Sequence, residues 1–165
     1  RVNGGSIQLK GVIPDIVLPG VYSYLKTGEK EKDFPMEWTK IQSVAYDVKT
    51  LKLDKIKAKS AKRVKKNPAF GMIDEQAKWF KSMQDETDIS LNLKQYREDQ
   101  AARDAKSDGF KSIQNEIEGL TISMLAVDEK KLKEDDVRLE SIKTWHKSLK
   151  KDVYMMEAMQ IIGDW

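Results

Sequence analysis

Apolar residues recur at helical spacing through most of the second half of the chain. The clearest stripe follows Asn67 and Pro68, which suit the N-cap and the first position of a helix, and it predicts a helix over residues 68–84. Its members are Phe70, Ile73, Ala77, Phe80 and Met83. A second stripe predicts a final helix that ends at Gly163. That stripe consists of Val153, Met156, Met159 and Ile162.

Weaker stripes predict three further helical segments. One runs through the basic stretch 52–66 and contains Leu53, Ile56, Ser60 and Val64. The polar residues 94–118 favour a helix that Gly109 interrupts or ends, and the pattern is helical again from Lys130. The later stripe contains Leu132, Leu139, Ile142, Trp145 and Leu149. A short helix is also expected after Pro35, with Trp38, Ile41, Ala45 and Val48 on one face.

Three other segments favour extended structure. Within residues 6–18, runs of Ile, Val and Leu separated by Gly11 and Pro14 predict two short strands joined by a turn. Residues 88–93 alternate between polar and apolar and predict another short strand. Residues 120–127 fit either a strand or a buried linker. The pattern therefore predicts a mainly α fold with a short N-terminal β segment and one or two further short strands.

The charge is concentrated in one place. The 165 residues carry a net charge of +3, whereas residues 52–66 hold eight basic residues against Asp54, so this stretch is +7 and the remainder sums to −4. Such a stretch is either a solvated helix face or a docking surface for an acidic partner or for another part of the same protein. The candidate contact residues are Lys55, Lys57, Lys59, Lys62, Arg63 and Lys66. The balanced total and the lack of aromatic residues in the stretch argue against nucleic acid.

The residues offer no catalytic, cofactor or metal site. The absence of Cys excludes disulfides, thiol nucleophiles and thiolate metal ligands. His146 is the only histidine and has no motif around it. The Gly4-Gly5-Ser6 triplet lacks the Lys-Ser/Thr ending of a phosphate-binding loop, and the acidic pair Asp135-Asp136 lacks the glycine and spacing of a calcium loop. No apolar run is long enough for a transmembrane segment.

The first residues nevertheless resemble a known family. The segment 1–20, RVNGGSIQLKGVIPDIVLPG, resembles the stretch that closes the catalytic core of carboxyl-terminal processing, or tail-specific, peptidases, with the pattern G-S-x-Q-x-K-G-V-x-P-D-I. The similarity to the long, tail-specific branch continues through Thr27-Gly28-Glu29 and Pro35-Met36-Glu37-Trp38. The Asn67-Pro68-x-Phe70 helix and the Ile89-Ser-Leu-Asn-Leu93 segment are also similar.

The resemblance implies a parent protein and a place for this chain within it. The parent would be a periplasmic or cell-envelope serine endopeptidase with a serine–lysine dyad and a PDZ domain that recognises substrate carboxyl termini. Both catalytic residues and the PDZ domain would lie upstream of Arg1, so the chain alone should show no peptidase activity. We interpret the start at Arg1 rather than Met as a cut from a longer protein. The implied partners are the peptidase core, the PDZ domain, protein substrates and a protein adaptor, with no cofactor.

On this interpretation the chain has three parts. Residues 1–20 would end the peptidase core, residues 21–50 would form a connecting loop and a short helix, and residues 51–165 would form a helical C-terminal extension. Because the partner strands of residues 1–20 would be missing, we expect this segment to be disordered, re-paired locally or paired with a neighbouring copy. The expected role is to brace the protease platform or to dock a substrate or adaptor. The alternative is an independent helical module that binds protein or nucleic acid and has no relation to proteolysis.

Overall fold

A computed structural model describes residues 3–45, 53–132 and 135–165. Within these ranges lie six α-helices and two short 3-10 turns, and the predicted mainly α fold is confirmed. The helices are α1 (Asp54–Lys66), α2 (Pro68–Asp85), α3 (Leu93–Gly109), α4 (Ala126–Leu132), α5 (Asp136–Leu149) and α6 (Val153–Gly163). The 3-10 turns span Glu29–Glu31 and Phe110–Gln114.

Four helices begin at an Asn or Asp side chain that accepts hydrogen bonds from the first free backbone N–H groups. Before α2, Asn67 Oδ1 accepts from the N–H of Ala69 at 2.9 Å, and Pro68 occupies the first helical position as predicted. The other three caps are Asn92 for α3, Asp135 for α5 and Asp152 for α6. The acidic residue Asp135 therefore has a local structural role, because its carboxylate accepts from the N–H of Arg138 at 2.9 Å.

The core forms where the two strongest apolar stripes meet. Phe70 and Ile73 of α2 are each 2% exposed and pack with Val153 of α6. The ring of Tyr154 meets Phe70 edge-on, with the ring centroids 5.6 Å apart. Partly buried side chains complete the cluster: Leu18, Val21, Val64, Ala69, Ile113 and Ile117. Helix α1 packs against both α2 and α6, so these three helices and the residues laid over them form the packed part of the molecule.

The two strands predicted within residues 6–18 do not form. A single antiparallel bridge joins Gly5 to Lys40, flanked by hydrogen bonds from Ser6 N to Thr39 O and from Ile41 N to Gly4 O, both 2.9 Å. This is the local re-pairing that was one of the three expected outcomes. Gly4 has φ +76°, and a Cβ there would collide with the Ile41 carbonyl oxygen, so the close approach of the two segments requires glycine at this position.

The short helix predicted after Pro35 is also wrong over its described part, which ends at Ala45, while Val48 lies outside the described residues. The backbone of residues 39–41 is instead committed to the bridge. The indole Nε1 of Trp38 donates to the carbonyl oxygen of Ser6 at 3.0 Å, which holds the same two segments together. Tertiary pairing therefore overrides a weak helical pattern.

The strand predicted over residues 88–93 is wrong as well. Ile89 is 69% exposed and Leu91 is 100% exposed, so the alternating pattern meets no opposing sheet face. Asn92 uses its side chain to start α3, accepting from the N–H groups of Lys94 and Gln95. Residues 120–125 form a linker in which Leu120 is buried but Leu125 is 73% exposed, and residues 126–127 of the predicted segment begin α4.

Candidate contact surface

Helix α1 presents its basic residues in three directions around a narrow buried stripe. Ile56 and Ser60 are buried, as predicted, and Val64 is half-buried. Lys59 and Arg63 lie on the edge that faces α6. The remaining basic side chains lie on the outer face or on the opposite edge. The six candidate contact residues therefore do not form one surface.

Arg63 lies in the centre of an ion-pair cluster with the end of α6. Its Nε donates to both carboxylate oxygens of Glu157 at 3.1 Å, and its Nη2 donates to Oε1 at 2.8 Å. Its Nη1 donates to Asp164 Oδ2 at 2.5 Å, and Lys59 Nζ donates to Asp164 Oδ1 at 2.6 Å. Two cations and two carboxylates thus join α1 to α6 with their charges balanced.

The cluster shifts the ionisation of its members in the directions that its geometry requires. Hydrogen bonds from Lys59 and then Arg63 hold the pKa of Asp164 below its ordinary value. The hydrogen bonds with Glu157 raise the pKa of Arg63, so Arg63 remains a cation. Glu157 itself is only 4% exposed, and the guanidinium supplies the partner that a buried carboxylate needs.

Sequence reasoning missed Glu157. It lies four residues after Val153, on the face of α6 that packs inward. A carboxylate on an otherwise apolar face, in a chain with one strongly basic helix, was the signal that could have identified the pair.

The outer face of α1 carries Lys55, Lys62 and Lys66, all exposed. Within the described part of the chain, none of the three forms an ion pair. Lys57 lies on the edge away from α6, where it lines a groove together with Lys65. Of the six candidates, Lys59 and Arg63 are therefore committed to the fold, and the other four are accessible to a partner.

Residues 15–25, here called the strap, cross the packed helices. Leu18 and Val21 pack against the core, and the hydroxyl of Tyr154 donates to the carbonyl oxygen of Pro19 at 2.7 Å. Further along, the hydroxyl of Tyr24 donates to Asp74 Oδ1 of α2 at 2.6 Å. The strap is thus fixed to α6 and to α2 by one tyrosine hydrogen bond each.

The attachment of the strap to α2 is also an electrostatic one. Lys78 lies one turn after Asp74 and pairs with it at 2.7 Å. Hydrogen bonds from Lys78 and then from Tyr24 lower the pKa of Asp74, and the hydrogen bond to Asp74 raises the pKa of Tyr24. The carboxylate therefore stays ionised and the phenol stays protonated, which is the pairing that the hydrogen bond needs.

A groove of about 530 Å³ lies between the strap and α1. Its apolar wall is formed by Ile16, Val17, Leu18, Pro19, Ala61 and Val64. Lys57 and Lys65 of α1 and Asp15 of the strap also line it. Ser60 lies in the wall at 1% exposure, and its hydroxyl oxygen has no hydrogen-bond partner in the described part of the chain.

The remaining chemistry-bearing residues do not come together. Among the described residues, no group of three or more His, Asp or Glu side chains is arranged to hold a metal ion. His146 is half-buried beside Trp145 and lines a cleft between α4 and α5. Ser6 accepts a hydrogen bond from the N–H of Gln8 next to the bridge at Gly5. None of the helices in the described ranges has the length and apolar character needed to cross a bilayer.

Comparison with known proteins identifies the chain. Residues 22–165 match the family described as the C-terminal domain of tail specific protease. The tail-specific protease of Haemophilus influenzae is 33% identical over 112 residues, a match that covers 64% of this chain and 16% of that protein's length. No solved structure matches the chain. The match includes all six helices and the last residues of the strap, 22–25, and the chain belongs to the family of C-terminal domains of tail-specific proteases.

Proposed function

We propose that this chain is the non-catalytic C-terminal domain of a periplasmic or cell-envelope tail-specific serine endopeptidase, and that it braces the peptidase core. The observation that carries the proposal is the strap. Residues 1–20 resemble the end of a peptidase core, and the family match begins at residue 22, so the strap spans the junction between the two. A junction packed onto helices holds the core and the extension in one orientation.

The packing of the strap supports a mechanical role. Leu18 and Val21 enter the same cluster as Phe70 and Val153, so the core of the helical domain is incomplete without the segment that leads out of the peptidase. Burial of these side chains stabilises both the strap position and the helical domain. A displacement of the peptidase core would therefore disturb the packing of α2 and α6.

The family match also weighs against the alternative of an independent module. A helical binding module with no tie to proteolysis has no reason to resemble the C-terminal domain of a protease over residues 22–165. On our proposal the serine, the lysine base and the PDZ domain are supplied by the rest of the parent. The role of the described residues is structural support.

The test is to release the strap in the full-length peptidase. Tyr24→Phe together with Tyr154→Phe removes both hydroxyl contacts and keeps both rings. We expect faster cleavage of the strap by a second protease in limited proteolysis, and a lower rate of substrate turnover. The matched control is Tyr22→Phe with Tyr96→Phe, which removes one hydroxyl of the strap and one of α3 and leaves the contacts to Asp74 and Pro19 intact.

An unchanged proteolysis pattern and unchanged turnover in the Tyr24 and Tyr154 double variant would contradict the bracing role. Equal effects in the control variant would show that the loss of any two hydroxyls suffices, and would contradict it too.

A further inference from the structure

The outer face of α1 and the groove beside it form one continuous surface. We propose that this surface binds an acidic segment of a partner protein, with an apolar side chain of that segment seated in the groove. This inference goes beyond the bracing role, since it concerns residues that the strap and the ion-pair cluster leave accessible. The docking surface, as named here, consists of Lys55, Lys62 and Lys66 on the outer face and Lys57 and Lys65 at the groove.

The first argument is that α1 does not balance its own charge, whereas other helices pair a lysine with a carboxylate one turn away. Lys78 pairs with Asp74 at 2.7 Å, and Lys143 pairs with Glu140 at 3.6 Å. Similar pairs join Lys81 to Asp85 and Lys111 to Asp108. The sequence of α1, DKIKAKSAKRVKK, contains seven basic residues and one Asp.

Lysines at i and i+4 along α1 repel each other at a cost to the helix. Lys62 and Lys66 form such a pair on the outer face. The cluster with Glu157 and Asp164 neutralises only Lys59 and Arg63. A carboxylate-bearing segment laid along the outer face would supply the missing countercharge.

The second argument is the spacing of the outer lysines. Lys55, Lys62 and Lys66 are seven and four residues apart, which places them on one side of the helix at about 10 Å and about 6 Å intervals along its axis. A stripe of this length fits a short peptide segment with several carboxylates. Such a segment needs no bidentate geometry, because lysine ammonium groups act as mobile point charges.

The third argument is the groove, which adds an apolar requirement to the charge. Ala61 and Val64 of α1 face Ile16 and Val17 of the strap across it. An apolar side chain of the bound segment would fill this space.

The charged groups around the groove favour one orientation of the bound segment. Asp15 lies on the strap side, and Lys57 and Lys65 lie on the α1 side. Carboxylates of the bound segment are therefore favoured over α1 and disfavoured over the strap. Asp74, which also lines the groove, is already engaged by Tyr24 and Lys78.

The same features favour a protein over the other polyanions. Nucleic-acid-binding surfaces for single strands combine basic residues with aromatic side chains for stacking, and α1 contains no aromatic residue. Peripheral membrane helices insert apolar side chains that protrude from the surface. Here Ala61 and Val64 of α1 line a recess beside the lysines, and a recess is suited to receive a side chain of a protein segment.

The experiment measures the fluorescence anisotropy of a labelled peptide of four Glu-Asp-Leu repeats, titrated with the 165-residue chain and with the full-length protein. We expect saturable binding to both, with an affinity that falls as salt is added. A Gln-Asn-Leu version tests the need for charge, and a Glu-Asp-Ser version tests the need for apolar side chains. Both should bind more weakly.

The site is tested by charge reversal on the outer face. The triple variant Lys55→Glu, Lys62→Glu and Lys66→Glu should bind the peptide at least about tenfold more weakly, since it removes three ion pairs. The variant is compared at equal helicity, measured by circular dichroism.

The matched control reverses three exposed lysines of α3 and α5, which changes the net charge by the same amount. The substitutions are Lys94→Glu, Lys106→Glu and Lys147→Glu. We expect this control to bind within about twofold of the unmodified chain, because distant surface charges are screened.

The proposal is overturned if the control triple weakens binding as much as the outer-face triple, or if the uncharged peptide binds equally well. It is also overturned if the full-length protein fails to bind. Tighter binding of single-stranded oligonucleotide or of vesicles containing anionic lipid, through the same lysines, would assign the surface to a different class of ligand.

Discussion

Helices α2 and α3 are nearly equal in length, 18 and 17 residues, and each begins at an asparagine N-cap. Yet α2 lies at the centre of the core, with Phe70, Ile73 and Ala77 buried, whereas α3 buries none of its side chains. The comparison separates two physical causes. A cap decides where a helix begins, and an apolar stripe decides whether that helix carries the fold.

The same division extends through the chain. Helices α1, α2 and α6 pack around the core, and α1 and the end of α6 also share the ion-pair cluster, while α5 buries no residue and contacts α4. The first group has interactions between elements distant in sequence. The second depends more on local caps and on ion pairs within one helix, such as Lys143 with Glu140. We expect the two groups to respond differently to equivalent substitutions.

The largest difference should follow truncation of an aromatic side chain in each helix. Phe70→Ala leaves a cavity in the core and should lower the free energy of unfolding by about 3–5 kcal/mol. Tyr96→Ala in α3, where the ring is 42% exposed, should lower it by less than about 1 kcal/mol. Urea denaturation followed by circular dichroism measures both, and equal losses would contradict the division.

The second comparison sets one arginine–glutamate pair against another. Arg63→Met leaves the buried Glu157 without its partner and should destabilise the chain by about 2–4 kcal/mol, less than the about 3–5 kcal/mol of a fully buried pair because the Arg63 side chain is 28% exposed. Arg103, which pairs with Glu86 at 3.2 Å on the surface, should contribute less than about 1 kcal/mol when changed to Met.

The double variant Arg63→Met with Glu157→Met should recover most of that loss, because no unpaired charge remains in the core. Denaturation midpoints of the single and double variants measure the recovery. A double variant no more stable than Arg63→Met alone would show that the cost comes from packing and not from the stranded carboxylate.

The sequence predicted the packed helices well because their stripes and caps are local features. The Asn67-Pro68 start of α2, its buried face and the final helix ending at Gly163 follow from spacing and capping, whereas Met159 and Ile162 of the predicted α6 stripe are exposed. The strand predictions were wrong at residues 6–18, where β-rich runs are separated by Gly11 and Pro14, and at residues 88–93, where polar and apolar residues alternate. A strand needs a partner, and within the described residues only the bridge from Gly5 to Lys40 is available.

The contact surface was predicted only in outline. Charge density identified α1, but periodicity could not distinguish Arg63, which faces Glu157, from Lys62, which faces solvent. That distinction depends on where α6 packs, which is a tertiary fact. The groove was missed altogether, because it lies between a helix and a segment that the sequence assigned to strands.

The two asparagine caps give a smaller and more direct test of the opening comparison. Asn67→Ala and Asn92→Ala remove equivalent N-cap oxygens. The loss of each oxygen should lower the stability of its own helix by about 1 kcal/mol. We expect Asn67→Ala to lower global stability, since α2 cannot fray without opening the core. Asn92→Ala should increase hydrogen exchange in α3 and leave the global transition in place.

The smallest effect concerns acid stability. The pKa of Asp164 is lower in the folded chain than in the unfolded one, because Lys59 and Arg63 hydrogen-bond to its ionised form. The unfolded state therefore binds the proton more tightly, and the contribution of Asp164 is complete above its unfolded pKa of about 3.9 and is lost as pH falls below it. Asp164→Asn should flatten the fall of stability in this acidic window.

The control is Asp108→Asn, which removes a surface carboxylate of α3 that pairs with Lys111. Its curve of stability against pH should stay nearly parallel to that of the unmodified chain. Thermal midpoints measured from neutral pH to about pH 2 distinguish the two, and parallel curves for both variants would show that the cluster between α1 and α6 is no stronger in acid than an exposed ion pair.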